Sequence, residues 1–373
     1  MTNTNQPLPQ APAMTEQDNA ETLCEQVRQA YRERSPLRIV GGDTRAFYGR
    51  AVEGRTLSTS EHRGIVHYDP VELVISVRAG TRLSDLEAAL AHHNQMLPFE
   101  PPRFGEASTI GGAVATGLSG PRRPWAGAAR DFVLGTRVIT QEGKLLRFGG
   151  EVMKNVAGYD LSRLMAGAQG TLGILSEISF KVLPRPNATH SLRLTMPIDE
   201  ALKKLAELGR KPLPITAAAW HDGGLHLRLE GGQSSVKATH ERLGGDHLEA
   251  SFWQELRDHS LSFFQGTGDK ALWRLSLPPN SGILALPGIQ ENEVLYDWAG
   301  SQRWVKTSLD AETLRRLCQE AGGHATCYTA HQDGGASEPF TPLNPVVAKY
   351  HRNLKRELDT YAIFNPGRLY AEL

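Results

Sequence analysis

Apolar residues at helical spacing open the regular structure of the chain. Leu23, Val27 and Ala30 recur every three or four positions, which predicts a helix over about 18–34. A short apolar run at 37–40 predicts a strand that leads directly into two glycines. Ser84 and Glu87 form a capping-box pattern, which predicts a helix running from there to about residue 93. Continuous apolar runs predict further strands at 73–77, 132–140, 144–148 and 173–182.

The pattern changes after the sequence Pro184-Arg185-Pro186, which we interpret as a domain boundary. Beyond it the periodicity predicts a strand, a helix, two strands and a second helix, at 190–196, 199–208, 215–220, 225–229 and 234–243. This order is typical of an antiparallel sheet with helices on one face.

A last helix is predicted near the C-terminus. Asn344 suits its N-cap and Pro345 its first position. The apolar stripe of this helix is predicted to lie in the core, and it consists of Val346, Tyr350, Leu354 and Leu358. The sequence Asn365-Pro366-Gly367-Arg368 then predicts a turn.

Composition and charge exclude several classes of protein. The 373 residues include 41 basic and 41 acidic side chains, a balance that argues against a general nucleic-acid binder. No apolar run is long enough to predict a transmembrane segment. Three cysteines without a C-x-x-C pair predict neither a disulfide framework nor a metal site. Residues 1–16, rich in Pro, Gln, Asn and Thr, are predicted to be a disordered tail. A cytoplasmic chain is expected.

Glycine carries the strongest signal. The chain has 37 glycines, and 14 of them fall between Gly105 and Gly173. They concentrate in loops beside strands, where glycine allows a tight turn or the close approach of a ligand. Taken singly, each loop is also compatible with an ordinary turn or a tightly packed helix start. Three such loops, starting at Gly41, Ser108 and Lys154, favour one large ligand. If that ligand carries phosphates, the candidates to neutralise them are Arg122, Arg123 and Arg130.

The same segments carry a family resemblance. The stretches are Phe99-Glu100-Pro101-Pro102, Gly117-Leu118-Ser119-Gly120-Pro121-Arg122-Arg123-Pro124-Trp125, Arg130-Asp131-Phe132-Val133-Leu134-Gly135-Thr136, Lys154-Asn155-Val156-Ala157-Gly158-Tyr159-Asp160-Leu161-Ser162-Arg163-Leu164 and Phe364-Asn365-Pro366-Gly367-Arg368. In this order they resemble the FAD domain of the vanillyl-alcohol oxidase type, also called the PCMH type. Within it the chain is most similar to the FAD-binding E subunits of bacterial glycolate oxidases. The match is strong over 35–186 and weaker beyond.

This resemblance implies an α+β fold in three parts after the tail. A two-subdomain PCMH-type FAD-binding domain is expected at 17–186 and a ferredoxin-like α+β cap domain at 187–335. A C-terminal helix and a return to the FAD domain are expected at 336–373.

The resemblance also implies a set of cofactor-binding residues. The first loop is expected to hold the FAD pyrophosphate through Gly41, Gly42, Asp43 and Thr44. The flavin ring is expected to lie against Gly111, Gly112, Ala115, Thr116, Ser119 and Gly120. Ribose and adenine are expected near Gly170, Gly173 and Ile174. Val40, Glu100, Thr109 and Asn365 complete the set.

Two departures from relatives shape the functional expectation. Relatives that bind flavin covalently carry histidine where this chain has Asp43, so the resemblance implies non-covalent FAD. Catalytic D-2-hydroxy-acid dehydrogenases carry a metal-binding histidine pair around an Asp-Gly-Asn turn, whereas this chain has His221-Asp222-Gly223-Gly224-Leu225-His226. We interpret these two histidines as hairpin residues, and His324, Cys327 and His331 as structural. No catalytic base or metal ligand is assigned.

Two functions therefore remain open. In the first, the chain is the FAD-binding subunit of a glycolate oxidase complex and relays electrons or supports assembly. A homologous catalytic flavoprotein subunit then oxidises glycolate to glyoxylate, and an iron–sulfur subunit takes the electrons, which would make the complex cytoplasmic or peripheral to the inner membrane through its partners. In the second, the chain is a self-sufficient FAD-dependent D-2-hydroxy-acid dehydrogenase. Arg122, Arg123 and Lys154 are candidates to bind the carboxylate of a small 2-hydroxy acid or a phosphate.

Overall fold

Two α+β units follow one another along the chain. The computed structural model describes residues 15–150, 159–266, 268–329 and 338–373, so most of the predicted tail lies outside the described residues. The helices of the first unit are α1 Ala20–Glu33, α2 Leu83–His92, α3 Ile110–Thr116, α4 Arg123–Ala126, α5 Ala129–Phe132 and α6 Leu161–Met165. Its strands are β1 Leu37–Val40, β2 Arg55–Ser58, β3 Ile65–Asp69, β4 Val74–Arg78, β5 Gln95–Met96, β6 Val133–Ile139, β7 Leu145–Gly149, β8 Ile174–Lys181 and β9 Leu183–Pro184.

The first unit has two hydrophobic cores. Strands β1 and β2 form a parallel pair that packs with α1. Strands β3, β4, β6, β7 and β8 form a five-stranded antiparallel sheet in the order β3-β4-β8-β6-β7, whose buried side chains pack against α2 and α3. Strands β6 and β8 contribute to both cores, with Ile139 and Ile174 in the α1 core and Val138 and Leu175 in the other. The two subdomains are therefore joined by continuous strands.

The second unit is built on an eight-stranded antiparallel sheet in the order β13-β10-β12-β11-β15-β16-β14-β17. Its strands are β10 Ala188–Thr195, β11 Ile215–His221, β12 Gly224–Gly231, β13 Asp246–His247, β14 Ala271–Ser276, β15 Val294–Asp297, β16 Gln302–Thr307 and β17 His324–Thr329. Its helices are α7 Ile198–Leu208, α8 Gln233–Leu243, α9 Ser251–Asp258 and α10 Ala311–Glu320. The predicted strand–helix–strand–strand–helix order and the α+β class are confirmed.

Residue alternation assigns the two faces of this sheet. Leu225, Leu227 and Leu229 of β12 pack in a core with α7 and α8. The other face packs against the first unit, where Tyr48 and Leu118 join a largely aromatic core. The polar residues of β12, including Arg228 and Glu230, thus lie between the two units.

The chain then returns to the first unit through α11 Pro345–Leu358. Ile363 and Phe364 are fully buried in the α1 core, and Leu37 donates a 2.7 Å backbone hydrogen bond to the Ile363 carbonyl. The buried ammonium of Lys355 fixes this return, because it donates to Asp359 at 2.7 Å and to the carbonyls of Thr171 and Phe364, both at 2.8 Å.

Two local predictions are wrong. Helix α2 begins at Leu83 with no side-chain cap, so the capping box at Ser84 does not form. The chain enters the helix one residue early because Leu83 is buried and its N–H donates to Ser108. In α11 the predicted cap is confirmed, since Asn344 accepts from the N–H of Val346. The apolar stripe of α11 is not core, however, because only Lys355 of that helix is buried.

Helices in the described ranges are all too short or too polar to cross a bilayer.

Candidate cofactor site

The first glycine loop offers a row of unpaired backbone donors. It follows β1, and the N–H groups of residues 41–45 have no hydrogen-bond partner within the described part of the chain. A Cβ on Gly42 would overlap the carbonyl of Ala107, and one on Gly41 would overlap the Thr109 hydroxyl. Both positions therefore need glycine for packing against the second loop. Successive free N–H groups of this kind bind anionic oxygens.

The second loop supplies the opposite wall through helix α3. The Thr109 hydroxyl caps this helix by accepting from the N–H of Gly112 at 3.2 Å. Gly111 faces Ala79, which a Cβ would crowd, whereas a Cβ on Gly112 would lie 3.3 Å from the Thr109 hydroxyl and 3.6 Å from Arg45. Gly112 is thus the helix glycine whose missing side chain leaves room in the cleft.

The C-terminal return completes the cleft. Asn365, at φ +40°, accepts from the N–H of Ile39 and donates to the carbonyl of Gln169, both at 2.7 Å. The Arg368 guanidinium donates to Gln169 Oε1 and to four carbonyls of the segment after the glycine loop: Arg45, Ala46, Tyr48 and Arg50. These two residues hold the first loop against the third.

One continuous cleft results, because the wider outer part and the deeper part share lining residues. The outer part is lined by Val40, Gly41, Gly42, Asp43, Thr44, Thr109, Gly112, Ala115, Thr116 and Asn365 among the predicted residues. The deeper and more apolar part adds Gly111, Gly170, Gly173 and Ile174. The structure therefore brings together all but three of the predicted cofactor-binding residues.

Glu100, Ser119 and Gly120 lie outside this lining. Glu100 accepts from the backbone and side chain of Arg122 and from Arg228, 2.8 Å away in the second unit. The Ser119 hydroxyl accepts from Ala129, and the Gly120 carbonyl accepts from the indole N–H of Trp298. Glu100 and Gly120 thus contact the second unit, whereas Ser119 bonds within the first unit. The role of all three residues toward the cofactor remains a prediction.

Sequence reasoning missed Arg45, which is the most informative side chain of the cleft. Its guanidinium is buried and has no ion pair among the described residues. It donates to the Pro102 carbonyl at 2.5 Å and stands 5.3 Å from the Phe104 ring centre, while its Nε has no partner. Burial lowers the pKa of Arg45 to about 10. A buried cation without a counter-charge is costly, so the site is suited to an anionic ligand.

Arg38, Gln169 and Arg368 also line the cleft and were not predicted. Arg38 pairs with the carboxylate of Asp43. The position of Arg45 directly after Gly41-Gly42-Asp43-Thr44 was a usable signal in the sequence, whereas Gln169 and Arg368 gave none, because their roles depend on contacts with distant segments.

The histidines considered as metal ligands lie elsewhere. In the β11–β12 hairpin His221 pairs with Gly224 and His226 with Ala219, so the two rings are not directly opposed. His226 stacks on Phe252 at 4.3 Å, and burial lowers its pKa to about 4. No group of three metal-ligating side chains occurs in the ranges that the structure describes. Lys154 and His331 lie outside the described residues.

The arrangement fits a dinucleotide with a pyrophosphate. Free N–H groups and Arg45 suit the phosphates, and the narrow glycine-lined part suits flat groups. Solved structures with this fold include p-cresol methylhydroxylase with substrate bound, with a TM-score of 0.69, 16% identity, and coverage of 96% of this chain and 88% of that chain. An alkyldihydroxyacetonephosphate synthase matches with a TM-score of 0.62, 16% identity, and coverage of 93% and 74%. The profile of the family described as "FAD binding domain" matches residues 12–149. The chain is an FAD-binding flavoprotein of this α+β fold.

Its particular family follows from a full-length match. The chain is 53% identical over 360 residues to the glycolate oxidase subunit GlcE of Escherichia coli (strain K12), covering 96% of this chain and 100% of that protein. It belongs to the family of this subunit. A D-lactate dehydrogenase of Archaeoglobus fulgidus is 30% identical over 201 residues, 53% of this chain and 44% of that protein. The glycolate oxidase subunit GlcD of Bacillus subtilis (strain 168) is 34% identical over 154 residues, 41% of this chain and 33% of that protein.

Proposed function

We propose that this chain is the FAD-binding subunit of a glycolate oxidase complex, in which a homologous flavoprotein subunit oxidises glycolate to glyoxylate and an iron–sulfur subunit takes the electrons. The full-length similarity to a glycolate oxidase subunit supports the assignment to such a complex. The chemistry of the cleft supports the division of labour between the subunits.

The cleft is built to bind rather than to transfer protons. Its titratable side chains among the described residues are Arg38, Asp43, Arg45 and Arg368. Arginine stays protonated, and Asp43 is already paired with Arg38. Oxidation of a 2-hydroxy acid needs a group that accepts the hydroxyl or α proton. The described lining of the cleft offers no such free group, in keeping with catalysis in a partner subunit. The observation that carries the proposal is the full-length similarity to a glycolate oxidase subunit.

The same geometry supports a proposal for the residues that would hold FAD. The N–H groups of Gly41 to Thr44 and the Arg45 guanidinium bind the pyrophosphate. Gly112, Ala115 and Thr116 leave a flat surface beside it, and Gly170 and Gly173 border the deeper part. When bound, FAD supplies two-electron redox chemistry, while the chain orients it and shields it from water.

The proposed FAD is non-covalent. The cleft lining among the described residues contains neither histidine nor cysteine, the side chains most suited to a covalent flavin link. Denaturation of the purified protein in acid should release all yellow colour into the supernatant. Flavin absorbance in the washed precipitate would contradict this assignment.

A spectroscopic experiment separates the proposal from the self-sufficient dehydrogenase. The visible spectrum of the purified chain is recorded before and after anaerobic glycolate, first alone and then with the two partner subunits. We expect oxidised flavin to persist in the isolated chain and to bleach only in the assembly. Bleaching of the isolated chain by glycolate would show that it carries its own catalytic site.

The complex is proposed to be cytoplasmic or peripheral to the inner membrane through its partner subunits. Fractionation of cells that express all three subunits tests this proposal. Recovery of the chain in the membrane fraction only when its partners are present would support the peripheral alternative.

A further inference from the structure

Helix α11 carries an unusual group of exposed apolar side chains. The exposed fractions are 61% for Val346, 44% for Val347 and 65% for Tyr350. Elsewhere in the described residues, the large apolar side chains that are exposed come from separate elements or turns: Phe47, Val66, Val71, Trp125, Leu146, Tyr159, Ile283 and Tyr361. Clustered exposure of this kind marks an interaction surface more often than scattered exposure does.

The geometry of the helix gathers these residues on one side. At about 100° per residue, Val346, Tyr350, Leu354 and Val347 fall within an arc of about 100°. We call these four residues the α11 face. The side chain that anchors the helix, Lys355, points to the other side and is buried against Asp359. The exposed side chains of the α11 face, Val346, Val347 and Tyr350, thus lie away from the side on which Lys355 packs against its own chain, while Leu354 is half-buried.

A basic stripe lies beside this face. Lys349, Arg352 and Arg356 are exposed and fall within a second arc of about 60° on the same helix. The only hydrogen bond described for their side chains is the one that Arg356 makes to Asn353, within α11 itself. A surface that meets α11 is therefore best matched by apolar side chains with carboxylates at one edge.

We propose that the α11 face docks into an apolar groove, rimmed by carboxylates, on another subunit of the glycolate oxidase assembly. This inference rests on the proposed function, because a subunit of a complex must present a contact surface to its partners. The mode is that of an amphipathic helix in a groove, with Val346, Val347 and Tyr350 as anchors and Tyr350 one turn from each valine. Tyrosine near the centre of such a contact is a typical hot spot.

Charge disfavours two alternative partners of the α11 face, a second copy of this chain and a lipid bilayer. A second copy of this chain would bring two basic stripes together. A bilayer would have to take up Glu357, which lies on the same line of the helix as Val346 and Tyr350, and a charged group is expensive to bury in lipid. A protein groove two turns long avoids both costs, since Glu357 stays at its rim.

Co-purification tests the proposal. The chain is co-expressed with a tagged catalytic flavoprotein subunit and the iron–sulfur subunit, and the amount retained on the tag is measured. We expect the double variant V346D/Y350D to be retained at least about tenfold less than the wild type, the loss expected for hot-spot residues. K349E/R352E should also lower retention. Val71→Asp is the matched control, because Val71 is 89% exposed outside α11, and it should be retained like the wild type.

The isolated variants provide the check on folding. Since the substituted side chains are exposed, V346D/Y350D should keep the FAD content and melting temperature of the wild type. Wild-type retention of this variant would overturn the docking site while leaving the proposed function intact. Failure of the wild type itself to be retained would instead count against the proposed function.

Two further measurements test whether the α11 face instead binds a second copy of this chain or a membrane. A wild-type dimer in light scattering that becomes a monomer in V346D/Y350D would assign the face to self-association and overturn the proposal. Sedimentation of the wild type, but not of this variant, with anionic phospholipid vesicles would assign it to a membrane and also overturn it.

Discussion

The contact between Arg368 and the cofactor loop leads to a quantitative prediction. Substituting Arg368 by methionine keeps an unbranched apolar stem and removes the guanidinium. The acceptors that lose their donor are Gln169 Oε1 at 3.1 Å and the carbonyls of Arg45, Ala46, Tyr48 and Arg50 at 3.0, 3.1, 2.8 and 2.6 Å. The segment after the glycine loop would then lose these side-chain links to the C-terminal return and keep the 3.0 Å backbone hydrogen bond from the Arg50 N–H to the Arg368 carbonyl.

The size of the effect follows from these five contacts. A hydrogen bond contributes about 0.5–1.5 kcal/mol net, and water can reach some of the freed carbonyls because Arg368 is only half-buried. We therefore expect a total of about 2–4 kcal/mol. If the loop must be ordered to bind FAD, this corresponds to a roughly 30- to 1,000-fold rise in the Kd of FAD.

Titration of the apoprotein with FAD, followed by quenching of flavin fluorescence, measures this Kd. Arg368→Lys keeps the charge but not the planar fork, so it should recover only part of the affinity. The control is Arg32→Met, since Arg32 is exposed on α1 and its side chain bonds, among the described residues, only to Glu25. An unchanged Kd in Arg368→Met would refute the positioning role. Full recovery with lysine would show that charge alone is required.

Three further predictions concern stability and the cleft. Lys355→Met leaves Asp359 buried without its cation. It should lower the free energy of unfolding by about 3–5 kcal/mol in urea denaturation. A decrease of less than about 1 kcal/mol would show that the C-terminal return is held by other contacts. Burial raises the pKa of Asp297 from 3.8 to about 7. Because the folded state then binds more protons than the unfolded state between these values, this group lowers stability as pH rises from about 4 to about 7, and Asp297→Asn should flatten that part of the melting-temperature profile. Gly112→Leu places a side chain in the cleft and should abolish FAD binding with little change in melting temperature. Gly42→Ala should instead destabilise the loop, since the added Cβ would overlap the Ala107 carbonyl. Equal FAD content in Gly112→Leu and wild type would refute the placement of the cleft.

The Gly112→Leu and Gly42→Ala variants distinguish two glycines that look alike in sequence. Each is the second glycine of a Gly-Gly pair in a loop or helix start near a strand. Both glycines line the cleft, but a Cβ on Gly42 would overlap the Ala107 carbonyl, whereas a Cβ on Gly112 would overlap no backbone. Only three-dimensional neighbours distinguish a glycine needed for packing from one needed for ligand space.

The sequence by itself determined the local features. Strand β1 and the order of elements in the second unit follow from periodicity and turn residues, because these depend on neighbours close in the chain. The α+β class of the whole chain was instead implied by the family resemblance. The glycine loops were likewise visible, since glycine is required where backbone must approach backbone. The cleft lining from Val40 to Thr44 and around Gly112 follows from them.

The tertiary structure decided which residues complete the site. Arg368 and Tyr48 are 320 residues apart in sequence, and no local pattern couples them. The buried guanidinium of Arg45 became significant only when it proved to have no ion pair among the described residues. The stripe of α11 shows the same limit, because an amphipathic pattern predicts that a helix has an apolar side but not what covers it. Long-range packing determines which side chains are buried. Burial in turn determines whether a charge or an apolar face stabilises the fold or is available to bind a ligand or a partner.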